Sequence, residues 1–161
     1  MTLSWWLGEI FSNGGLFILL MFIPLLWLER EKRLTIKTVV VLFAAFLVTE
    51  AIKRIFPVER PFVDLNVTVP FSFVKLNDSF PSGHTAMAFA IATSVWLAKH
   101  RLGIVALFIA LIVGIGRVLL LVHFPIDVIV GGSIGAVIAL LLSEVFKTRK
   151  RRLRGGEDRL K

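Results

Sequence analysis

The 161-residue chain has no cysteine, which excludes disulfides, thiol nucleophiles and cysteine-ligated metal. Charge is scarce: 19% of the residues are charged, against about 25% in soluble domains. Acidic residues are the scarcer sign, 11 against 19 Lys and Arg, and the net charge is +8. No internal repeat or low-complexity tract is visible. What fills the chain is apolar: 57% of it is hydrophobic and the mean hydropathy is +0.84. Intrinsic disorder and an ordinary water-soluble globule are both excluded. The length suits one domain. A positive excess can signal nucleic acid, so the placement of the charges has to decide.

Five apolar stretches stand out: Phe11–Leu28, Thr38–Phe56, Gly83–Ala98, Leu102–Val122 and Ile126–Phe146. A spanning helix needs about 20 apolar residues. These runs are apolar on all sides rather than along one stripe, which argues against a soluble helical core. The expected fold is therefore all-α, a polytopic membrane bundle of about five helices. The third stretch is short and is expected to extend through Pro81–Ser82 or Lys99–His100. Leu3–Phe11, with Trp5 and Trp6, reads as an interfacial segment, and Asn13-Gly14-Gly15 as a break before the first span. No cleavable signal peptide is expected, for want of a basic n-region. Gly131-x-x-x-Gly135 is a small-residue pattern that reads as helix packing.

Fourteen of the 19 basic residues fall on one side of these spans and five on the other. By the positive-inside rule the richer side is cytoplasmic. Residues 1–146 then form one integral-membrane domain, and 147–161 a basic cytoplasmic tail. The cluster Lys147–Arg154 reads as an anchor to anionic lipid, so the partner is the bilayer and no nucleic acid is expected.

Ionisable residues at membrane depth are costly and by default functional. Lys53, Arg60, His84, Arg117, His123 and Asp127 all fall at the outer face in this orientation. Three cations with few acidic neighbours need an anion, and Arg and Lys both recognise phosphate. Ser82 and Gly83 precede a helix start, where free N–H groups favour phosphate. A neutral imidazole can attack phosphorus and a protonated one can supply the leaving-group proton. Pro125 suits the first helical position, so Asp127 can reach back to His123 and fix its tautomer. A metal held by His84, His123 and Asp127 is disfavoured by the surrounding cations. Glu50 is expected to pair with Arg54 along the helix, and His100 and Lys75 to be exposed. Arg117 and His123 are six apart, so the end of span four must unwind for both to meet one phosphate.

Lys53-x6-Arg60-Pro61, Pro81-Ser82-Gly83-His84 and Arg117-x5-His123-x3-Asp127 together resemble the three-part signature of the type 2 phosphatidic acid phosphatases. The resemblance implies that His123 is the nucleophile, forming a phosphohistidine. It implies that Asp127 orients His123 and that His84 protonates the leaving group and later helps activate water. Lys53, Arg60, Ser82, Gly83 and Arg117 would hold the phosphate, with no metal and no cofactor. Two departures are visible: Gly116 stands where the family commonly has Ser, and five spans are counted where six are common.

The expected activity is hydrolysis of a phosphate monoester or diphosphate of a membrane lipid on the extracytoplasmic face of the inner membrane. The resemblance suggests lipid A 1-phosphate, undecaprenyl diphosphate, phosphatidylglycerol phosphate or phosphatidic acid. The alternatives are a lipid phosphotransferase and a non-catalytic lipid-binding or transport protein. Phe62, Phe71, Phe73 and Phe80 either shape lipid access or pack within their loop.

Overall fold

A backbone surrounded by hydrocarbon must satisfy its own hydrogen bonds, and a helix does so within one segment. The computed structural model describes residues 3–67 and 75–157, with no side-chain description of Ser4 or of 147–157. Among the described residues the only β pairing is an isolated bridge, Val58 to Asp78. The helices are α1 (Leu3–Glu9), α2 (Gly15–Leu28), α3 (Lys32–Ile55), α4 (Pro61–Asp64), α5 (Gly83–Ala98), α6 (His100–Leu119) and α7 (Pro125–Glu157). A π-helical turn, Ile10–Gly14, joins α1 to α2. The architecture is the all-α polytopic bundle expected, with α7 running on beyond Phe146. Among the described residues four helical runs are long and apolar enough to span: Trp5–Leu28, Lys32–Ile55, His100–Leu119 and Pro125–Phe146.

Two expectations about the ends of spans are corrected. Asn13-Gly14-Gly15 does not break the helix, and Leu3–Phe11 is continuous with the apolar run that follows it. The chain stays helical from Leu3 to Leu28, because a π turn absorbs the glycines instead of ending the helix. The third stretch does not extend either. Ser82 and Lys99 are its extended caps, and α5 keeps its 16 residues.

The shortness of α5 follows from its place. It packs against α2, α3, α6 and α7 at the centre of the bundle. Its Ala86, Ala88, Ala90, Ile91, Ala92 and Val95 are fully buried. A helix sheathed by protein need not match the bilayer thickness on its own. The Gly131-x-x-x-Gly135 pattern on α7 is what lets α5 come close. A Cβ at Gly131 would lie 2.4 Å from the Ser82 carbonyl oxygen, and one at Gly135 2.1 Å from that of Ala86. The outer helices carry the large exposed apolar residues instead: Phe17, Phe43, Phe108, Ile129 and Leu141 are 60–64% exposed.

Candidate active site

The site is assembled at the end of the bundle where α3 and α6 finish and α5 and α7 begin. Its key construction is the turn after α6. The Leu121 N–H donates to the Val118 carbonyl at 2.9 Å, and the Val122 N–H to that of Arg117 at 3.3 Å. Leu121 has φ 55°, left-handed for a residue with a side chain. This is the Schellman way of ending a helix, with leucine at the position glycine usually takes. It reverses the chain so that Arg117 on α6 and His123 beyond it serve one place, as the six-residue spacing required. Phe62, Leu120 and Val122 form a buried apolar cluster beneath the turn. The Phe62 N–H donates to the Leu121 carbonyl at 3.0 Å, which docks α4 on it. Phe62 therefore packs within its loop, Phe80 is half-buried, and Phe71 and Phe73 lie outside the described residues.

His123 and Asp127 are 2% and 1% exposed. The Asp127 Oδ2 stands 3.6 Å from the His123 Nδ1, an ion-pair distance longer than a hydrogen bond. The carboxylate is fixed by other donors. Ser79 Oγ–H donates to Oδ2 at 2.6 Å and the Phe124 N–H at 2.9 Å. Burial, with Arg117 and Arg60 repelling a second positive charge, pushes the His123 imidazole down to about 4, against the partial opposition of Asp127. At neutral pH His123 is a neutral imidazole with a lone pair to offer.

His84 opens α5 and is half-buried. Arg117, His123, Lys53 and Arg60 all lie within electrostatic reach of it. The Ser82 N–H is committed to the Asp127 carbonyl at 3.0 Å, and Ser82 Oγ shares a 2.9 Å hydrogen bond with Thr85 Oγ1. The N–H groups that helix geometry leaves without an intrahelical acceptor are those of Gly83, His84 and Thr85. A Cβ on Gly83 would meet Lys53 Nζ at 3.7 Å, which places the ammonium beside this helix start. Lys53 pairs with Glu50 at 3.2 Å and approaches Asp78 at 4.0 Å. The expected Glu50–Arg54 pairing thus gives way to Glu50–Lys53, because Arg54 faces outward and is exposed.

The two arginines are held differently. Arg60 donates from Nε to the Lys75 carbonyl at 2.8 Å, from Nη1 to that of Val122 at 2.9 Å and from Nη2 to that of Asp78 at 3.1 Å. It ties the α3–α5 loop to the turn after α6 and retains one N–H on each terminal nitrogen. Burial draws its pKa below the ordinary guanidinium value, opposed by Asp78 and Asp127. Arg117, 8% exposed, donates from Nη1 to Ser12 Oγ at 3.0 Å. Lys75 and His100 are exposed as expected.

Sequence reading missed Ser79, Thr85, Asp78 and Ser12. A serine carries no pattern of its own, and Asp78 sits in a loop whose return path only the fold reveals. Among the described residues no three His, Asp or Glu side chains group as a metal site would need.

Residues 34–151 match the model of the PAP2 superfamily. The chain is 33% identical over 123 residues to YbjG of Escherichia coli (strain K12), named as a candidate undecaprenyl-diphosphatase; the match covers 74% of this chain and 61% of that one. Among solved structures it is similar to Aquifex aeolicus LpxE, with a TM-score of 0.71 and 27% identity over 86% of this chain and 81% of that one. It is also similar to a PAP2 type phosphatidylglycerolphosphate phosphatase from Bacillus subtilis, with a TM-score of 0.67 and 27% identity over 89% and 78% of the two chains. The chain spans about three fifths of the length of the first curated relatives it matches.

Proposed function

This chain belongs to the PAP2 superfamily, and on that premise we propose that it hydrolyses the phosphate monoester or diphosphate headgroup of a membrane lipid. The observation that carries the reading is one buried histidine, kept neutral beside a fixed carboxylate, with Arg117, Arg60 and His84 in electrostatic reach of it and Lys53 in reach of His84. The His123 Nε2 lone pair forms a bond to phosphorus while the bond to the leaving oxygen breaks. His84 gives that oxygen its proton. Water then attacks the phosphohistidine, His84 takes the water's proton, and the P–N bond breaks to release inorganic phosphate. Asp127 stabilises the positive ring. Lys53, Arg117, the remaining donors of Arg60 and the free N–H groups at the start of α5 neutralise the phosphoryl oxygens. Ser82 acts by holding Asp127 and Thr85, while Gly83 leaves room for the oxygens.

A lipid substrate is supported by an apolar groove of about 320 Å³ lined by Phe89, Leu111, Gly114, Val128, Gly132 and Ala136. It begins one turn from Arg117 on α6 and beside Asp127 on α7, so a hydrocarbon chain there would carry its headgroup to the histidines. Undecaprenyl diphosphate, phosphatidylglycerol phosphate, lipid A 1-phosphate and phosphatidic acid are the substrates to test. The basic distribution supports an extracytoplasmic site in the inner membrane, with residues 1–146 as the catalytic domain and 147–161 as a cytoplasmic, lipid-anchored tail.

The test is phosphate release by purified protein from each of these four lipids. Release from at least one, abolished in His123→Ala, is expected, with an acid-labile phosphoryl group trapped on the wild type. Release undiminished in His123→Ala would refute the mechanism, and transfer to an acceptor other than water would make the protein a phosphotransferase. Because the chain has no cysteine, Lys75→Cys offers a single label site. Reaction with an impermeant maleimide only from the cytoplasmic side would refute the orientation.

A further inference from the structure

The first helical run brings Ser12 onto the guanidinium of Arg117. Glu9, Ser12 and Asn13 are spaced to share one side of a helix. Ser12 is fully buried, and its Oγ accepts the Arg117 Nη1 hydrogen bond at 3.0 Å. The Glu9 carboxylate is close enough to act on the Arg117 charge. Its Oε2 accepts from Asn13 Nδ2 at 2.5 Å, and its Oε1 is buried without a hydrogen-bond partner among the described residues.

The backbone is built for this contact. A Cβ on Gly116 would lie 2.6 Å from the Ser12 nitrogen and 2.9 Å from the Gly8 carbonyl oxygen; one on Gly8 would lie 2.8 Å from Leu120 Cγ. Any side chain at 116 would push the first helix away. Ser12 also sits in the π turn, where the wider helix changes the direction its side chains take.

We propose that Ser12, supported by Glu9, is a positioning residue that holds the Arg117 guanidinium ready for a lipid phosphate. A long arginine side chain is entropically costly to order. Anchoring Nη1 on a buried hydroxyl meets that cost before substrate arrives and leaves Nη2 and the second Nη1 proton for phosphoryl oxygens. The inference rests on the phosphatase reading given above.

The experiment is a double-mutant cycle on the full chain in detergent. Ser12→Ala and the near-isosteric Ser12→Cys are each combined with Arg117→Lys. The readouts are kcat/KM for phosphate release, inhibition by inorganic phosphate and the melting temperature. Both serine variants are expected to lose about tenfold in kcat/KM, the scale of one hydrogen bond to a charged group. They should weaken phosphate inhibition alike and lower melting only by what one lost buried hydrogen bond costs. In the Arg117→Lys background the serine change should add nothing. Glu9→Gln is expected to show a smaller loss of the same kind.

Wild-type kcat/KM in Ser12→Ala overturns the proposal. So does Ser12→Cys behaving as wild type while Ser12→Ala fails, which would make the role one of packing. An equal further loss in the Arg117→Lys background also overturns it. If Arg117→Lys is too slow to assay, phosphate binding followed by phosphorus NMR closes the same cycle. A wild type that releases no phosphate refutes the phosphatase reading. An active wild type with an indifferent Ser12→Ala refutes only the positioning role.

Discussion

The two ends of the bundle use the same residue types and treat them in opposite ways. At one end Arg60, Arg117, His123 and Asp127 are each no more than 8% exposed, and their bonds join segments far apart in the chain. At the other end Lys32, Arg33 and Arg101 are exposed, and Glu29 and Lys99 form an ion pair across the surface. The difference is one of solvent. Where water reaches, a charge is screened and interchangeable. Where it does not, a charge survives only with partners on every side, and the partners dictate its geometry.

The sharpest way to break this contrast is at His123. His123→Ala is expected to lower phosphate release by at least about 10⁴-fold, as removing a nucleophile does in other covalent hydrolases; activity near wild type would deny the buried end its proposed chemistry. Asp127→Asn is expected to cost about 10²–10⁴-fold in kcat. It also removes an acceptor from Ser79 and Phe124, so melting should fall with it. Arg60→Lys keeps the charge but loses the fork on the carbonyls of Lys75, Val122 and Asp78. A loss of about 3 kcal/mol in stability is expected from the unsatisfied carbonyls, read as a lower melting temperature; unchanged melting would mean that the clamp is dispensable.

The pH response sharpens the comparison further. The chain has three histidines, so selective nitrogen labelling gives three signals, and His123→Asn identifies one. That signal is expected to stay neutral as pH falls, gaining its proton only near 4, because burial lowers its pKa from 6.5. A midpoint near 6.5 would mean that the ring is hydrated. The smallest effect belongs to the far end. Lys99→Ala breaks the exposed pair with Glu29 and is expected to leave melting and phosphate release unchanged.

Much of this was legible in the sequence because hydrocarbon leaves little freedom. Five apolar runs predict five helices, and Lys53, Arg60, His84, Arg117, His123 and Asp127, the motif residues at one end of them, are brought together by the fold, whereas Arg54 and Lys75 at the same end stay exposed. The motif spacing even required the turn between Arg117 and His123. What was illegible was carried by small or polar residues without periodicity. Ser79 and Asp78 reach the site only because the loop from α3 returns beside Val58. The commitment of Arg60 to three carbonyls depends on where the backbone turns rather than on any residue type. Asn13-Gly14-Gly15 misled because glycine pairs commonly end helices in water; here Gly15 faces Val113 on α6, where a Cβ would lie 2.8 Å away, and the helix continues.

The left-handed corner at Leu121 has one more implication. Between Arg117 and His123 the chain measures a distance rather than contributing reactive groups. Two backbone bonds set that measure, while Leu120 and Val122 between them pack in the buried cluster with Phe62. Adding or deleting a single residue would swing the imidazole out of line with the guanidinium. For anyone grafting this centre onto another scaffold, the count of residues across that corner is the dimension to preserve.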